Sequence, residues 1–552
     1  MAQLAWVLGI LTAHEEGVRG AVQRSLESGG WTFTTDVDRA EALLVWSGDR
    51  LSVSEESLLA TIASERRPMV LMGTTVTADL PVLREASGVV PRAWTPPHPA
   101  RLRADGQGAW AQRLDPCDED LEVTTSVMTV EKVRESVETW VSAPIGLSRE
   151  PVVTWNPDTA VAMFTPVPTS PLPADSADVI AIARMLHLSL RRMLDIDSES
   201  VISPVRVGLL GFGAIGAEHA RAAQQLPGLS LDVVCDRNSE RLRELKALSP
   251  SVHTTRDATE LLESEVDLVV ISTPPDTHAG WAIKALSAGK HVVVEKPLSI
   301  TSEEADAVMV AARAAGRRVV TYQNRRFDSD FLAVRRTVQS GQIGDVFHTE
   351  TFIGGYGHPC NYWHSDADVS GGAIYDWGSH VLDQVLALHA GSIEHVSCLE
   401  HKRRWFDVTN ADHSSLQIRF SDGTEASFIH SDLAAALKPR WYLLGTEGAL
   451  VSRWRSASVI SRNEIGTLSE DRLAVTDSPP DVYRLDPDGS ETAVVPPGVG
   501  QHPFHRQLVD DLLYDWPMTV TAEQSRRVVA VMEAARASAH SRGQAVRVNG
   551  EV

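Results

Sequence analysis

Apolar and polar residues alternate in blocks along the chain, and the period of each block predicts its element. The run LAWVLGIL from Leu4 to Leu11 is short and continuously apolar, which is the pattern of a strand buried on both faces. ALLVW at Ala42–Trp46 and the stretch Pro68–Gly73 repeat it, with a helix predicted through Gly17–Ser28. VVTW and AVAMFT, within Val152–Thr165, continue the strands, and an amphipathic helix is expected over Ala177–Leu194. Strands alternating with helices imply a parallel sheet. The polar DIDSESVISP that follows has the texture of an interdomain linker.

After Pro204 the alternation starts again with VRVGLLG, a helix from about Ile215, LDVVCD, a helix rich in Arg and Glu, DLVVIST, another helix, and KHVVVEKP. Beyond Arg326 the strands lengthen and alternate residue by residue. SSLQIRF and TEASFIH, joined across SDG, form a hairpin signal, so a mostly antiparallel sheet is expected. A last helix is expected over about Thr521–Arg542. At 552 residues the chain exceeds what one core sustains. Three domains are therefore drawn, at 1–198, 204–326 and 327–552.

Charge narrows the partners. With 51 basic and 73 acidic residues the net charge is −22, which repels a phosphate backbone, so nucleic acid is not an expected partner. No apolar run reaches the roughly 18 to 20 residues that cross a bilayer. The opening MAQLAWVLGILTAHEE lacks the basic flank of a secretion signal, and the expected location is cytoplasmic. Cys117, Cys235, Cys360 and Cys398 are scattered without paired spacing and read as reduced thiols, with Cys235 a small buried hydrophobe.

The strongest motif is Gly211-Phe212-Gly213-Ala214-Ile215-Gly216, placed between a predicted strand and a predicted helix. In that setting the first glycine permits a tight turn, the second lets a pyrophosphate approach the backbone, and the third lets helix and strand pack closely. Asp236 ends the next strand, twenty residues after Gly216, where a carboxylate accepts from an adenosine ribose and repels a phosphate. NAD is accordingly expected in preference to NADP. Arg237 beside it pairs with a 2′-phosphate or stacks on adenine.

Five segments stand in a fixed order from Val205 to Val548: STPPDTH, AGKHVVVEKPLS, YQNRRFD, YDWGSHVLDQ and FHRQLVDDLL. With the glycine motif they resemble the Gfo/Idh/MocA family, the glucose-fructose oxidoreductases and inositol dehydrogenases. The resemblance implies a Rossmann dinucleotide-binding domain followed by an α+β domain with a large, mostly antiparallel sheet that also joins subunits into a homo-oligomer. It implies that Lys296, Asp376 and His380 surround a reacting hydroxyl, that Arg325, Trp377 and Asp383 contact substrate, and that Thr273, Pro274, Pro275, His278 and Glu295 flank the cofactor. The spacing agrees independently, since Asp376, His380 and Asp383 at i, i+4 and i+7 share one helix face.

His380 is then the candidate general base, because imidazole is the side chain that titrates nearest neutrality, and the oxidation rate should rise through an apparent pKa there. Asp376 would orient that ring, and Lys296 would steady negative charge on the substrate oxygen or share the proton relay. Within the loop GGYGHPCNYWHSDADVS, Tyr356, Tyr362 and Trp363 suit the C–H faces of a sugar. His358, Cys360 and His364 in the same loop could ligate a metal, but no metal is expected.

Residues 1–198 resemble the ThuA-like proteins of the class I glutamine amidotransferase-like, flavodoxin-like α/β fold, through ILTAH, His98-Pro99, CDEDLEV and PVVTWNPDTAVAMFT. An amidotransferase needs a nucleophilic Cys at its strand-to-helix elbow, and VLMGTTVTAD offers Thr74 and Thr75 instead, so glutaminase activity is not expected. The readings of this domain are a structural or substrate-delivery module, or an enzyme acting on an oxidised sugar with His14 as its candidate. For the whole chain the expected function is hydride transfer between nicotinamide and a ring hydroxyl of a sugar, glycoside or cyclitol. Redox-assisted glycoside cleavage and a non-catalytic sugar-sensing regulator are the alternatives.

Overall fold

The computed structural model describes residues 3–8, 13–28, 31–46, 53–72, 86–87, 89–94, 98–104, 121–125, 128–132, 135–145, 148–164, 177–196, 203–360, 362–454, 459–462, 468–471, 480–496 and 500–550. Thr74, Thr75 and Cys117 lie outside the described residues, as does the side chain of His14, whose backbone belongs to helix Ala13–Ser28. The chain divides into two compact units. One comprises 1–203, 499–501 and 506–517, and the other 204–498, 502–505 and 518–552.

The first unit holds a nine-stranded sheet. Its strands Thr32–Phe33, Gln3–Leu8, Ala42–Trp46, Met69–Met72 and Val161–Phe164 run parallel in that spatial order. Both faces are covered, which is why these strands read as unbroken apolar runs. Leu4, Leu44, Val70 and Phe164 point into one cluster, while their chain neighbours Ala5, Leu43, Val45 and Met163 point into the other. The expectation of a parallel sheet fails beyond Val161–Phe164, where Ser148–Asn156, Glu138–Ile145, His98–Ala104 and Leu121–Thr125 continue antiparallel. Residues 157–160 are too few for a crossover, and the turn is closed by Asp158 N–H donating to Asn156 Oδ1 at 3.1 Å. Helix Ala177–Met193 covers one face. Residues 506–517, drawn from sequence into the last domain, pack in this unit instead, with Trp516 at 5.3 Å from the His187 ring.

The second unit begins with a six-stranded parallel sheet in the order His253–Thr255, Leu229–Cys235, Val205–Leu210, Leu268–Ile271, His291–Val294, Val319–Thr321. The spatial order 3-2-1-4-5-6 is that of a doubly wound dinucleotide fold, with its switch point beside the strand that leads into Gly211. Eight further strands form the second sheet, from Ile393–His401 at one edge to Glu491–Val494 at the other. Every neighbouring pair in it is antiparallel except Val346–Gly354 against Glu425–Ser431. The expected hairpin is present as His413–Phe420 and Glu425–Ser431, turned by Gly423 at φ +87°. Thr521 caps the last helix, Ala522–His540, through a reciprocal box with Gln524, a contribution of about 1 kcal/mol. Among the described residues, no helix is long and apolar enough to cross a membrane.

Candidate active site

The glycine turn follows from local sterics. Gly211 sits at φ +95°, and a Cβ there would lie 2.5 Å from the carbonyl oxygen of Ser272. A Cβ on Gly216 would collide with the Gly211 carbonyl oxygen, whereas one on Gly213 would meet nothing within 4 Å. Two glycines are thus demanded by the protein's own backbone and the third by open space. That space is a cleft of about 780 Å³, lined by the turn, by Asp236 and Arg237, and by Lys296 and Asp376. Gly213 is the N-cap of helix Ala214–Gln225 and brings no capping side chain, so the first-turn N–H groups stay available to an anion.

Asp236 is held rigidly: Oδ2 accepts from Phe212 N–H at 2.6 Å and Oδ1 from Asn238 N–H at 2.7 Å. Phe212 contributes that backbone group and is not itself among the lining residues. Gly211, Ala214, Ile215, Thr273, Pro274, Pro275 and Glu295 do line the cleft. His278 does not. It is buried behind the wall, with Nδ1 2.7 Å from the Pro297 carbonyl and Nε2 2.7 Å from that of Thr273, so its expected contact with cofactor is corrected to a support for the wall.

Strand His291–Val294 ends at Glu295 and Lys296, and the Lys296-Pro297 peptide is cis. Glu295 faces inward, bonded to His219 Nε2 at 2.8 Å, which in turn places its Nδ1 2.8 Å from His505 Nε2. Across the cleft, Gly371 at φ +87° ends helix Ala367–Ser370 and Gly372 at φ +104° opens helix Ala373–Leu388. This double turn delivers Asp376 to Lys296: Nζ donates to Oδ1 at 2.6 Å and to the Asp376 carbonyl at 3.2 Å. Burial pushes the Asp376 carboxyl up, but Lys296 and then His364 outweigh it and hold it well below the usual carboxylate range.

His380 lies one turn further along the same helix, is only 7 % exposed and, like Arg325 and Trp377, is not itself among the residues that line the cleft. Its Nδ1 is buried without a hydrogen-bond partner among the described residues, and the expected orienting bond from Asp376 is absent because that carboxylate is taken by Lys296. Burial, then the charges of Lys296 and Arg325, hold the imidazole well below its ordinary pKa, against the pull of Asp376.

The expected substrate contacts separate. Trp363 lines the cleft. Arg325 lies 5.2 Å above the Trp377 ring and 3.2 Å from Asp328, and neither Arg325 nor Trp377 is among the lining residues. Tyr356 is 55 % exposed beneath Arg404 and also off the cleft. Asp383 is corrected: at 1 % exposure it grips Arg326 with two bonds, at 2.5 and 2.8 Å, and is closed to any ligand. Its place on the buried face of the helix explains this, since the i+7 position continues under the neighbouring turn Asn324–Phe327.

His364 and Tyr362, not expected from sequence as site residues beyond a sugar-stacking or metal-loop role, line the cleft with Trp363. His358 turns instead to Asp407 at 2.8 Å, and among the described residues no group of three or more His, Cys, Asp or Glu is arranged to hold a metal ion. Arg241 and Arg256 also line the cleft near Asp236 and carried no motif of their own.

Residues 205–323 match the family model described as oxidoreductase family, NAD-binding Rossmann fold, and residues 331–451 the Gfo/Idh/MocA C-terminal domain. The uncharacterized oxidoreductase YdgJ of Escherichia coli is 32 % identical over 251 residues, covering 45 % of this chain and 70 % of that protein. The scyllo-inositol 2-dehydrogenase (NADP(+)) IolW of Bacillus subtilis is 24 % identical over 343 residues, 61 % of this chain and 94 % of that one. A crystal structure of an NAD-binding protein from Listeria innocua superposes with a TM-score of 0.52 at 27 % identity, over 63 % of this chain and 97 % of that one. With the glycine cradle, the Lys296–Asp376 pair and these matches in one unit, the chain belongs to the Gfo/Idh/MocA family of oxidoreductases that use a nicotinamide cofactor.

Proposed function

We propose that the protein transfers hydride between NAD and a ring hydroxyl of a sugar, glycoside or cyclitol. The observation that carries this is a single cleft lined by the glycine cradle, by the Lys296–Asp376 pair and by Trp363. The cofactor, when bound, supplies the hydride acceptor. Lys296 binds the substrate oxygen and stabilises negative charge on it, with Asp376 fixing the position of the ammonium. His380, kept neutral by its surroundings, takes the hydroxyl proton on its ring nitrogen. Trp363 offers an apolar face to the ring's C–H groups. Asp236, already fixed by two backbone bonds, keeps a carboxylate where a 2′-phosphate would sit, which supports NAD over NADP even though Arg241 stands 3.6 Å from it. The NADP(+) in the name of IolW makes this choice worth measuring.

The test is a panel of cyclitols, hexoses, sugar acids and glycosides, followed at the NADH absorbance band with each cofactor. NAD-linked oxidation of at least one is expected, lost in His380→Ala, and Asp236→Ser should narrow the preference for NAD. Cleavage of a glycoside without net NADH would replace the dehydrogenase reading with redox-assisted elimination.

For residues 1–198 the reading is a ThuA-like module without glutaminase chemistry. Its support is the parallel core, whose order places the second strand outside the first and then the third and fourth, as in flavodoxin-like sheets.

A further inference from the structure

The loop before helix Ala373–Leu388 holds an imidazole that the chemistry above leaves without a task. His364 lines the cleft, and its side chain is 30 % exposed. Its ring lies flat on Trp363, with centroids 3.6 Å apart at 22°, and Tyr362 meets its edge at 5.0 Å. The backbone beneath it is tied down as well. Asn410 Nδ2 donates to the His364 carbonyl at 2.8 Å, and Ala367 N–H donates to Thr409 Oγ1 at 2.7 Å.

The ring nitrogens are held more loosely, with Nδ1 facing the Asp376 carboxylate that it helps keep ionised. Nδ1 stands 3.7 Å from Asp376 Oδ1, beyond hydrogen-bond length, and among the described residues no hydrogen bond within 3.5 Å ends on either nitrogen. A ring pinned on its face and edge, with Nδ1 turned to Asp376 and no hydrogen bond to Nε2 among the described residues, is preorganised to meet a ligand. Its position is specific too. The oxygen it approaches, Asp376 Oδ1, is the one that Lys296 Nζ holds at 2.6 Å, so the imidazole and the ammonium converge on one small region from two sides.

We propose that His364 binds the hydroxyl next to the reacting one, so that Lys296 and His364 together read a vicinal diol on a six-membered ring. This rests on the dehydrogenase reading and adds to it a second contact: a ring with a hydroxyl beside the reacting one is held at two oxygens, and a ring with a single hydroxyl at one. No covalent step is added, since His364 acts by holding a neighbouring oxygen while the proton and hydride leave the reacting carbon as before. Glutamine at 364 preserves a donor and an acceptor near the imidazole's place, and leucine preserves bulk alone.

The experiment uses the full chain with NAD. Binding of NADH is measured first by fluorescence. Initial rates are then taken on myo-inositol, scyllo-inositol, D-glucose, trans-1,2-cyclohexanediol and cyclohexanol, for the wild type, His364→Leu, His364→Gln and His380→Ala. Turnover of at least one diol-bearing ring in preference to cyclohexanol is expected. His364→Leu should raise KM for it tenfold or more with kcat within about threefold, His364→Gln should recover part of that loss, and His380→Ala should lower kcat. An unchanged KM in His364→Leu, or equal use of cyclohexanol, overturns the inference while the dehydrogenase reading stands. NADH binding with no polyol turned over also overturns the diol assignment, and failure to bind NADH at all brings down the dehydrogenase reading beneath it.

Discussion

His380 shows how surroundings change the task of a residue type. An imidazole in water titrates near 6.5, and a base of that kind would give a rate that rises through neutrality. Here burial, Lys296 and Arg325 favour the neutral form. A base must be deprotonated to act, so lowering its pKa moves the rise in rate to lower pH. The oxidation rate should therefore complete its climb below the ordinary imidazole range and be flat from neutrality upward, in a kcat profile taken at saturating substrate. A midpoint at or above 7 would mean that another group accepts the proton. Asp383 makes the opposite case, since its carboxylate acts on the fold alone. Asp383→Ala leaves the Arg326 guanidinium buried without its two bonds, at a cost of about 3–5 kcal/mol. Denaturant unfolding should show that loss, while KM in whatever protein stays folded should not move.

At the scale of elements, the glycine turn separates what the fold needs from what the ligand needs. Gly213 has an ordinary φ of −83° and open space where a side chain would go, so Gly213→Val should fold with unchanged stability and lose NADH affinity tenfold or more. Gly211→Ala, at φ +95° and against the Ser272 carbonyl, should lose stability first. Titrating NADH into both variants beside their melting curves distinguishes the two roles. These residues were legible from sequence because strand, turn and helix signals surround them and each glycine has a steric reason. The face shared by Asp376 and His380 was legible from helical spacing, whereas the partner of each was not. Spacing along one helix says nothing of Lys296, which arrives from another strand, nor of Arg326, which claims Asp383 from the turn Asn324–Phe327. His364 escaped for a related reason, because a loop has no period from which a direction can be read. The parallel sheet of the first unit was legible through Val161–Phe164, and its antiparallel continuation was lost because a four-residue turn between apolar strands resembles any other short connection.

For the whole molecule, the chain's second visit to the first unit is the feature that domain boundaries drawn along the sequence cannot express. Residues 506–517 fold with residues 1–203. Trp516 is 2 % exposed there, 4.9 Å from the Tyr514 ring and 4.9 Å beneath the Arg184 guanidinium, and His187 beside it accepts from Trp31 Nε1 at 3.0 Å. Removing so large a buried ring costs about 3–5 kcal/mol. The cradle for the dinucleotide lies wholly in the other unit, so a bound cofactor stabilises that one by mass action. Scanning calorimetry of the full chain should then show two transitions that respond to different perturbations: Trp516→Ala lowers one, and saturating NADH raises the other in wild type and variant alike. A single transition that both perturbations shift would mean that the two units unfold as one cooperative body.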